Sequence, residues 1–317
     1  MSKKIFLISC GILCLGIILT IFFRTQKQIN FQENNNQPLT VSVSIYPLAH
    51  IVEKVAGSFV HVQLITPGGI EPHEYEPTPE DLVNIYQSQG VILNGGGLDV
   101  WGEKIQSDLK EKNIPVIVMA NVLKQEAIQL TQVDAHAGIE QIQFDPHMWL
   151  DPVLFSKEVD MVADFLSSLD PAHAADFAGN AALYQKELAA LDTAYRRGLE
   201  NCQVRDIIVS HDAFEYLGSE YGFAIHSIAG ISPEDEPSAA RLAELTRFIK
   251  SKKITTVFFE SLVSPKLSET LARETGAQSS VLNPIEGLAS EEAQAGKNYD
   301  ILMKENLEAL KKAMVCR

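Results

Sequence analysis

The stretch DPAHAADFAGNAALYQKELAALDTAYRRGLE, at positions 170–200, divides the chain into two halves that read alike. Asp170 followed by Pro171 is a helix-start signal: the carboxylate can accept a backbone N–H, and a proline in the first turn loses no hydrogen bond. Apolar residues then fall at Phe177, Tyr184, Leu188, Leu191, Tyr195 and Leu199, in steps of seven, four, three, four and four. Those steps keep one helical face apolar throughout. A helix of about 30 residues is about 45 Å long. The spacing predicts a stiff strut.

Short β-branched runs bounded by turn residues lie on both sides of it. Before it come TVSVSI (40–45), HVQLIT (61–66), GVILN (90–94) and PVIVMA (115–120). After it come DIIVS (206–210), FAIHSI (223–228), ITTVFFE (254–260) and SSVLN (279–283). Helical patterns separate them, one opening at Thr78-Pro79. Strands alternating with helices imply parallel sheets. The expected fold is α/β: two lobes, each a mostly parallel four-stranded sheet with helices, joined by one long rigid helix. The expected boundaries are 40–170 for the first lobe, 171–200 for the connecting helix and 201–317 for the second lobe. VSIYPLAHIVEKVAGSFVHV and IIVSHDAFEYLGSEYGFAIH both run strand, polar turn, helix, glycine, aromatic, strand. A structural duplication and a generic βαβ unit account for this equally well.

The first 24 residues differ from the rest. Lys3 and Lys4 precede IFLISCGILCLGIILTIFF (5–23), which ends at Arg24. Nineteen helical residues reach about 28 Å, close to the thickness of a bilayer's hydrocarbon core. The basic flank keeps the N-terminus in the cytoplasm and places the remainder outside the cytoplasmic membrane, in a periplasm or at a cell surface. No A-x-A site follows, so an uncleaved anchor is the first expectation. LISC, ending at Cys10, also resembles a lipoprotein site. Residues 25–39 are Asn/Gln-rich and read as a tether.

Of 317 residues, 46% are apolar and 21% charged, an ordinary globular composition. The first 24 hold three of the 26 basic residues and none of the 41 acidic ones, which leaves −18 on the rest. Such a surface repels nucleic acid and attracts cations. Outside the apolar run only Cys202 and Cys316 remain, and in an oxidising compartment that pair is expected as a disulfide.

Four loops past strand ends each carry one candidate ligand. PGGIEPHEYEPTP presents His73, DPHMWLDP presents His147, IVSHDAF presents His211, and VLNPIEGL presents Glu286. Neutral imidazoles and a carboxylate suit zinc, which takes four ligands tetrahedrally. A plainer reading of DPHMWLDP stands beside this one: Asp151 caps a helix, Pro152 opens it, and His147 is a loop residue. Their sequence spacing does not decide between the two. His50, His61, His173 and His226 read as core or surface residues. Gly95 and Gly97 in NGGGLDVW read as a tight strand-to-helix turn, because the third glycine of a dinucleotide fingerprint is missing.

Taken together, EPHEYEPTPED, NGGGLDVW, DPHMWLDP, VSHDAFEYLGSEYG, SPEDEPSAARLAEL and VLNPIEGL resemble, in order, the zinc receptors of ABC importers, the ZnuA, AdcA and TroA-like group. The resemblance runs from about Thr40 to the C-terminus. It implies a solute-binding protein, not an enzyme, with Zn2+ as the transported ligand held between the lobes by His73, His147 and His211. The fourth ligand matches Glu286, whereas relatives use an aspartate where Asn283 stands. It further implies an ABC permease with its cytoplasmic ATPase as partner and a monomeric receptor. Manganese members replace one histidine with a carboxylate, so three histidines favour zinc. An exported zinc hydrolase, with Glu286 activating a water, is the rival from another class. The long His-rich loop of many zinc members is reduced here to VDAHAGIEQIQ, and its single His136 is expected to gather no metal.

Overall fold

The computed structural model describes residues 38–123, 129–134 and 139–317. The expected anchor, most of the tether and His136 lie outside the described residues. Among the described residues, no helix is long and apolar enough to cross a membrane.

The first lobe alternates strictly: β1 (Leu39–Val43), α1 (Tyr46–Ala56), β2 (Val60–Leu64), α2 (Pro79–Gln87), β3 (Gly90–Leu93), α3 (Val100–Glu111) and β4 (Val116–Val118). The strands pair in parallel in the order β2-β1-β3-β4. All four residues of β3 are buried, as a central strand covered by helices on both faces requires. Thr78 starts α2 with a full capping box: its hydroxyl accepts from Asp81 N–H, and the Asp81 carboxylate accepts from Thr78 N–H.

A short helix α4 (Met119–Val122) leads to a hairpin of β5 (Gln129–Asp134) and β6 (Ile139–Phe144), paired antiparallel. The sequence reading left this segment as loop. Its strands, QLTQVD and IEQIQF, are glutamine-rich and carry no continuous apolar run. Helix α5 (Pro152–Leu169) follows, capped by Asp151, whose carboxylate accepts from Val153 N–H at 2.8 Å.

The connecting helix α6 spans Ala174–Leu199, 26 residues or about 39 Å. It begins later than expected, because Pro171–His173 forms a separate 3-10 turn. Asp170 tightens that turn by accepting from Ala172 N–H at 3.2 Å and from His173 Nδ1 at 2.5 Å. The buried face carries every apolar position named from the sequence, plus Ala181. One contiguous core runs along α6 and takes Phe155 and Val159 from α5, Phe214 and Leu217 from beyond it, and Leu302 and Leu310 near the C-terminus. Each large apolar side chain buried there contributes about 1.5–3 kcal/mol.

The second lobe repeats the alternation: β7 (Asp206–Val209), α7 (Glu215–Tyr221), β8 (Ala224–Ser227), α8 (Ala239–Lys252), β9 (Thr256–Phe259), α9 (Lys266–Thr275), β10 (Gln278–Val281), α10 (Ser290–Gln294) and α11 (Tyr299–Ala313). Its sheet is parallel in the order β10-β9-β7-β8. Numbered within each lobe, both sheets run second, first, third, fourth. A Cys202–Cys316 disulfide joins the end of α11 to the segment after α6. Beside it, Gln203 and Val204 both donate their N–H to Met314 O at 3.0 Å.

Candidate metal centre

The four sequence-predicted residues converge at the carboxyl ends of the strands, where open α/β sheets place ligands. His73 lies in the loop after β2, on a 3-10 turn, Pro72–Glu74. The Glu71 carboxylate accepts from His73 N–H at 3.0 Å and sets that turn. Burial, and then the nearby Glu286 charge, push the Glu71 carboxyl up to about 9.

His147 is fully buried, and one oxygen of Asp145 fixes it twice. Asp145 Oδ1 accepts from His147 N–H at 2.9 Å and from Nδ1–H at 2.7 Å. The proline after Asp145 keeps the chain extended there, so the carboxylate can turn back on His147. Pro146 is held from the first sheet as well: Asn94 Nδ2 donates to Pro146 O at 3.1 Å. Gly96, at φ +67°, allows the close approach, since a Cβ there would meet Pro146 at 3.2 Å. The glycine turn is the one expected, and the buried Asp99 closes it by accepting from Asn94 N–H at 2.7 Å and Gly95 N–H at 2.8 Å.

His211 comes two residues after β7 and is fully buried. Its Nδ1–H donates to Glu260 Oε1 at 2.6 Å, and Glu260 also accepts from the Ser210 hydroxyl. Glu286 follows β10 and is 1% exposed. With each Nδ1–H engaged by a carboxylate, His147 and His211 turn their Nε2 lone pairs inward, the tautomer a metal requires.

The inward atoms are closely spaced. His147 Nε2 stands 3.3 Å from His73 Nε2 and 3.3 Å from His211 Nε2. Glu286 Oε1 stands 3.0 Å from His147 Nε2, 3.2 Å from His211 Nε2 and 3.5 Å from His73 Nε2. A tetrahedron with bonds of 2.0–2.1 Å has edges of about 3.3–3.4 Å, and these five separations bracket that value. Three imidazole nitrogens and one carboxylate oxygen are also the donor types zinc takes.

Charge reinforces the geometry. Burial is the largest influence on each residue, and alone it would disfavour all four charged forms. It prevails at His73, whose imidazole is held below its ordinary value. At His147, Asp145 and Glu286 outweigh it and raise the imidazole. At His211, Glu260 and Glu286 raise it well above the usual range. Glu286, surrounded by His211, His147 and His73, is held well below the usual carboxylate range despite its burial. The four residues thus form a buried, electrostatically coupled group that could hold a metal ion.

Asn283 is engaged away from the four inward atoms. Its Nδ2 donates to Glu292 Oε1 at 2.7 Å and its Oδ1 accepts from Ile285 N–H at 2.8 Å. The sequence reading missed the supporting carboxylates Glu71 and Glu260. Only their positions, two residues before a loop histidine and immediately past a strand, marked them. Of the remaining histidines, His61 and His226 lie in β2 and β8, His173 lies in the turn before α6, and His50 lies in α1 beside Asp300.

Residues 41–313 match the family described as zinc-uptake complex component A, periplasmic (ZnuA). The zinc-binding lipoprotein AdcA of Streptococcus pneumoniae is 37% identical over 283 residues, covering 88% of this chain and 56% of that protein. The chain thus spans little more than half of that relative. The high-affinity zinc uptake system protein ZnuA of Bacillus subtilis is 32% identical over 291 residues, 90% of each chain. The crystal structure of the Zn(II)-bound ZnuA-like domain of Streptococcus pneumoniae AdcA aligns with a TM-score of 0.73 at 36% identity, covering 87% of this chain and 99% of that one. With the profile match covering both lobes and the candidate centre between them, this chain belongs to the ZnuA family.

Proposed function

We propose that this chain is the extracytoplasmic receptor of an ABC importer, capturing Zn2+ between its lobes (40–170 and 201–317) and handing it to a membrane permease driven by a cytoplasmic ATPase. The observation that carries this reading is the convergence of three Nε2 atoms and one Oε1 atom, five of whose six separations are 3.0–3.5 Å, close to the edge of a tetrahedral zinc site. His73 and His147 come from the first lobe, and His211 and Glu286 from the second. Bound Zn2+ then cross-links the lobes, and release requires the permease to part the ligands. The chain acts as a monomer, and its N-terminal segment holds it outside the membrane as an anchor or a lipidated terminus.

The donor set supports zinc over manganese, which prefers more oxygen. A fourth protein ligand takes the position that a hydrolytic zinc keeps for water, which supports binding over catalysis. The purified chain should retain one Zn2+ by elemental analysis against excess Mn2+, and His147→Ala should retain none. Displacement of zinc by manganese, or equal zinc in both proteins, would refute the proposal.

A further inference from the structure

Ile285, immediately before Glu286, has φ +59°. A β-branched residue enters this left-handed region only when its surroundings impose it. Within the second lobe the constraint is dense. Ile285 N–H donates to Asn283 Oδ1 at 2.8 Å, Asn283 N–H donates to Asn306 Oδ1 at 2.8 Å, and Asn306 Nδ2 donates back to Asn283 O at 2.7 Å. One bond reaches the same loop from the first lobe. Trp149 Nε1–H donates to Pro284 O at 2.7 Å, one residue before Ile285 and two before Glu286.

Trp149 is fully buried and anchored at both ends. Its ring meets that of His147 edge to face, with centroids 5.2 Å apart at 62°. Its carbonyl accepts from Tyr299 Oη–H at 2.5 Å. One side chain therefore touches a first-lobe ligand and holds the backbone that carries a second-lobe ligand. Packing alone does not require the second contact, since a phenyl ring in that place would still face His147.

We propose that Trp149 is a positioning residue for Glu286: its indole N–H on Pro284 O holds Ile285 left-handed and so keeps Glu286 Oε1 against His147 Nε2. This rests on the metal-site reading above. Without the donor, Ile285 relaxes toward negative φ, the peptide before Glu286 turns, and the carboxylate leaves its place in the tetrahedron. Water then completes the shell.

The test is a double-mutant cycle on the full chain, with Trp149→Phe, Glu286→Gln and the pair, read by competition titration with Zn2+ and by the visible spectrum with Co2+. Trp149→Phe should weaken zinc binding about 10- to 100-fold, the range for groups that orient metal ligands. It should also replace the intense four-coordinate cobalt bands with weaker ones of higher coordination. In the Glu286→Gln background it should cost nothing further, because its effect passes through Glu286. Unchanged affinity and spectrum, or losses that multiply in the pair, would overturn the role of Trp149. Wild-type chain that binds neither metal would instead overturn the metal site itself. If circular dichroism shows Trp149→Phe unfolded, Tyr299→Phe takes its place in the cycle. It should give a smaller, several-fold loss that also vanishes in the Glu286→Gln background, and wild-type affinity there would overturn the proposal.

Discussion

Glu260→Gln tests how the charge behind His211 tunes the centre. Glu260 is 2% exposed, and its Oε1 lies 2.6 Å from His211 Nδ1. Glutamine keeps the shape and one acceptor and removes the charge, which roughly halves the strength of that hydrogen bond. The imidazole becomes a weaker ligand, and losses at such positions run about 10- to 100-fold, or about 1.4–2.7 kcal/mol. A second effect opposes the first. In the metal-free protein burial pulls His211 down, but Glu260 and Glu286 raise it well above the ordinary histidine value, so Zn2+ must displace a proton. Removing the Glu260 charge lowers that barrier in the variant. As pH rises, proton competition weakens in both proteins and the deficit approaches its full size. As pH falls the wild type loses more to proton competition, and the gap narrows. Competition titrations from about pH 6 to about pH 9 would measure this. A variant-to-wild-type ratio independent of pH, or no deficit at alkaline pH, would refute the coupling between Glu260 and His211.

Metal-free protein should be most stable between the unfolded carboxylate and imidazole values, about 4.5 to 6.5. The lowered Glu286 contributes above the first and loses that contribution as pH falls through its folded value, while the raised His211 contributes below the second and loses it as pH rises. Thermal melts with and without zinc would then diverge as pH rises, and parallel curves would contradict the shifts. Zinc at a hundredfold excess over Kd should add about 2.7 kcal/mol, read by denaturant titration. Cys316→Ser opens a cross-link spanning 114 residues and should cost about 4.7 kcal/mol by loop entropy, with zinc affinity unchanged in the folded protein. Asp99→Ala strands the buried Gly95 N–H and leaves Asn94 N–H with Ser44 Oγ alone, and should cost about 1–3 kcal/mol in the same assay.

Most of the eight strands in the two parallel sheets were legible as short apolar, β-branched runs between turn residues, the composition that burial in a parallel sheet favours, whereas β10 (QSSV) is mostly exposed. The β5–β6 hairpin was not, because its glutamine-rich strands carry no continuous apolar run to mark them. The four inward donors were legible as residue types at strand ends. Their supports were not, since Glu71 and Glu260 carry no motif, and which histidine a buried carboxylate serves depends on a meeting across 49 residues at His211 and Glu260. Asn283 shows the same limit from the other side. The sequence resemblance singles its position out as one where a ligand is expected, whereas its hydrogen bonds commit it to shaping the backbone ahead of Glu286.

The location of the centre follows from topology before any ligand is named. In an order of second, first, third, fourth, chains leaving the first and third strands diverge and open a crevice between them. In the second lobe those exits are Ser210-His211 after β7 and Glu260 after β9, and the crevice directly holds a ligand and its supporting carboxylate. In the first lobe the same exits are Ser44-Ile45 after β1 and Asn94 after β3. There Asn94 N–H donates to Ser44 Oγ at 3.1 Å and Asn94 Nδ2 donates to Pro146 O at 3.1 Å. Among the described residues that crevice holds no candidate ligand of its own. It holds the segment that carries His147, so one lobe presents its histidine from the switch point and the other uses its switch point to bring a histidine in.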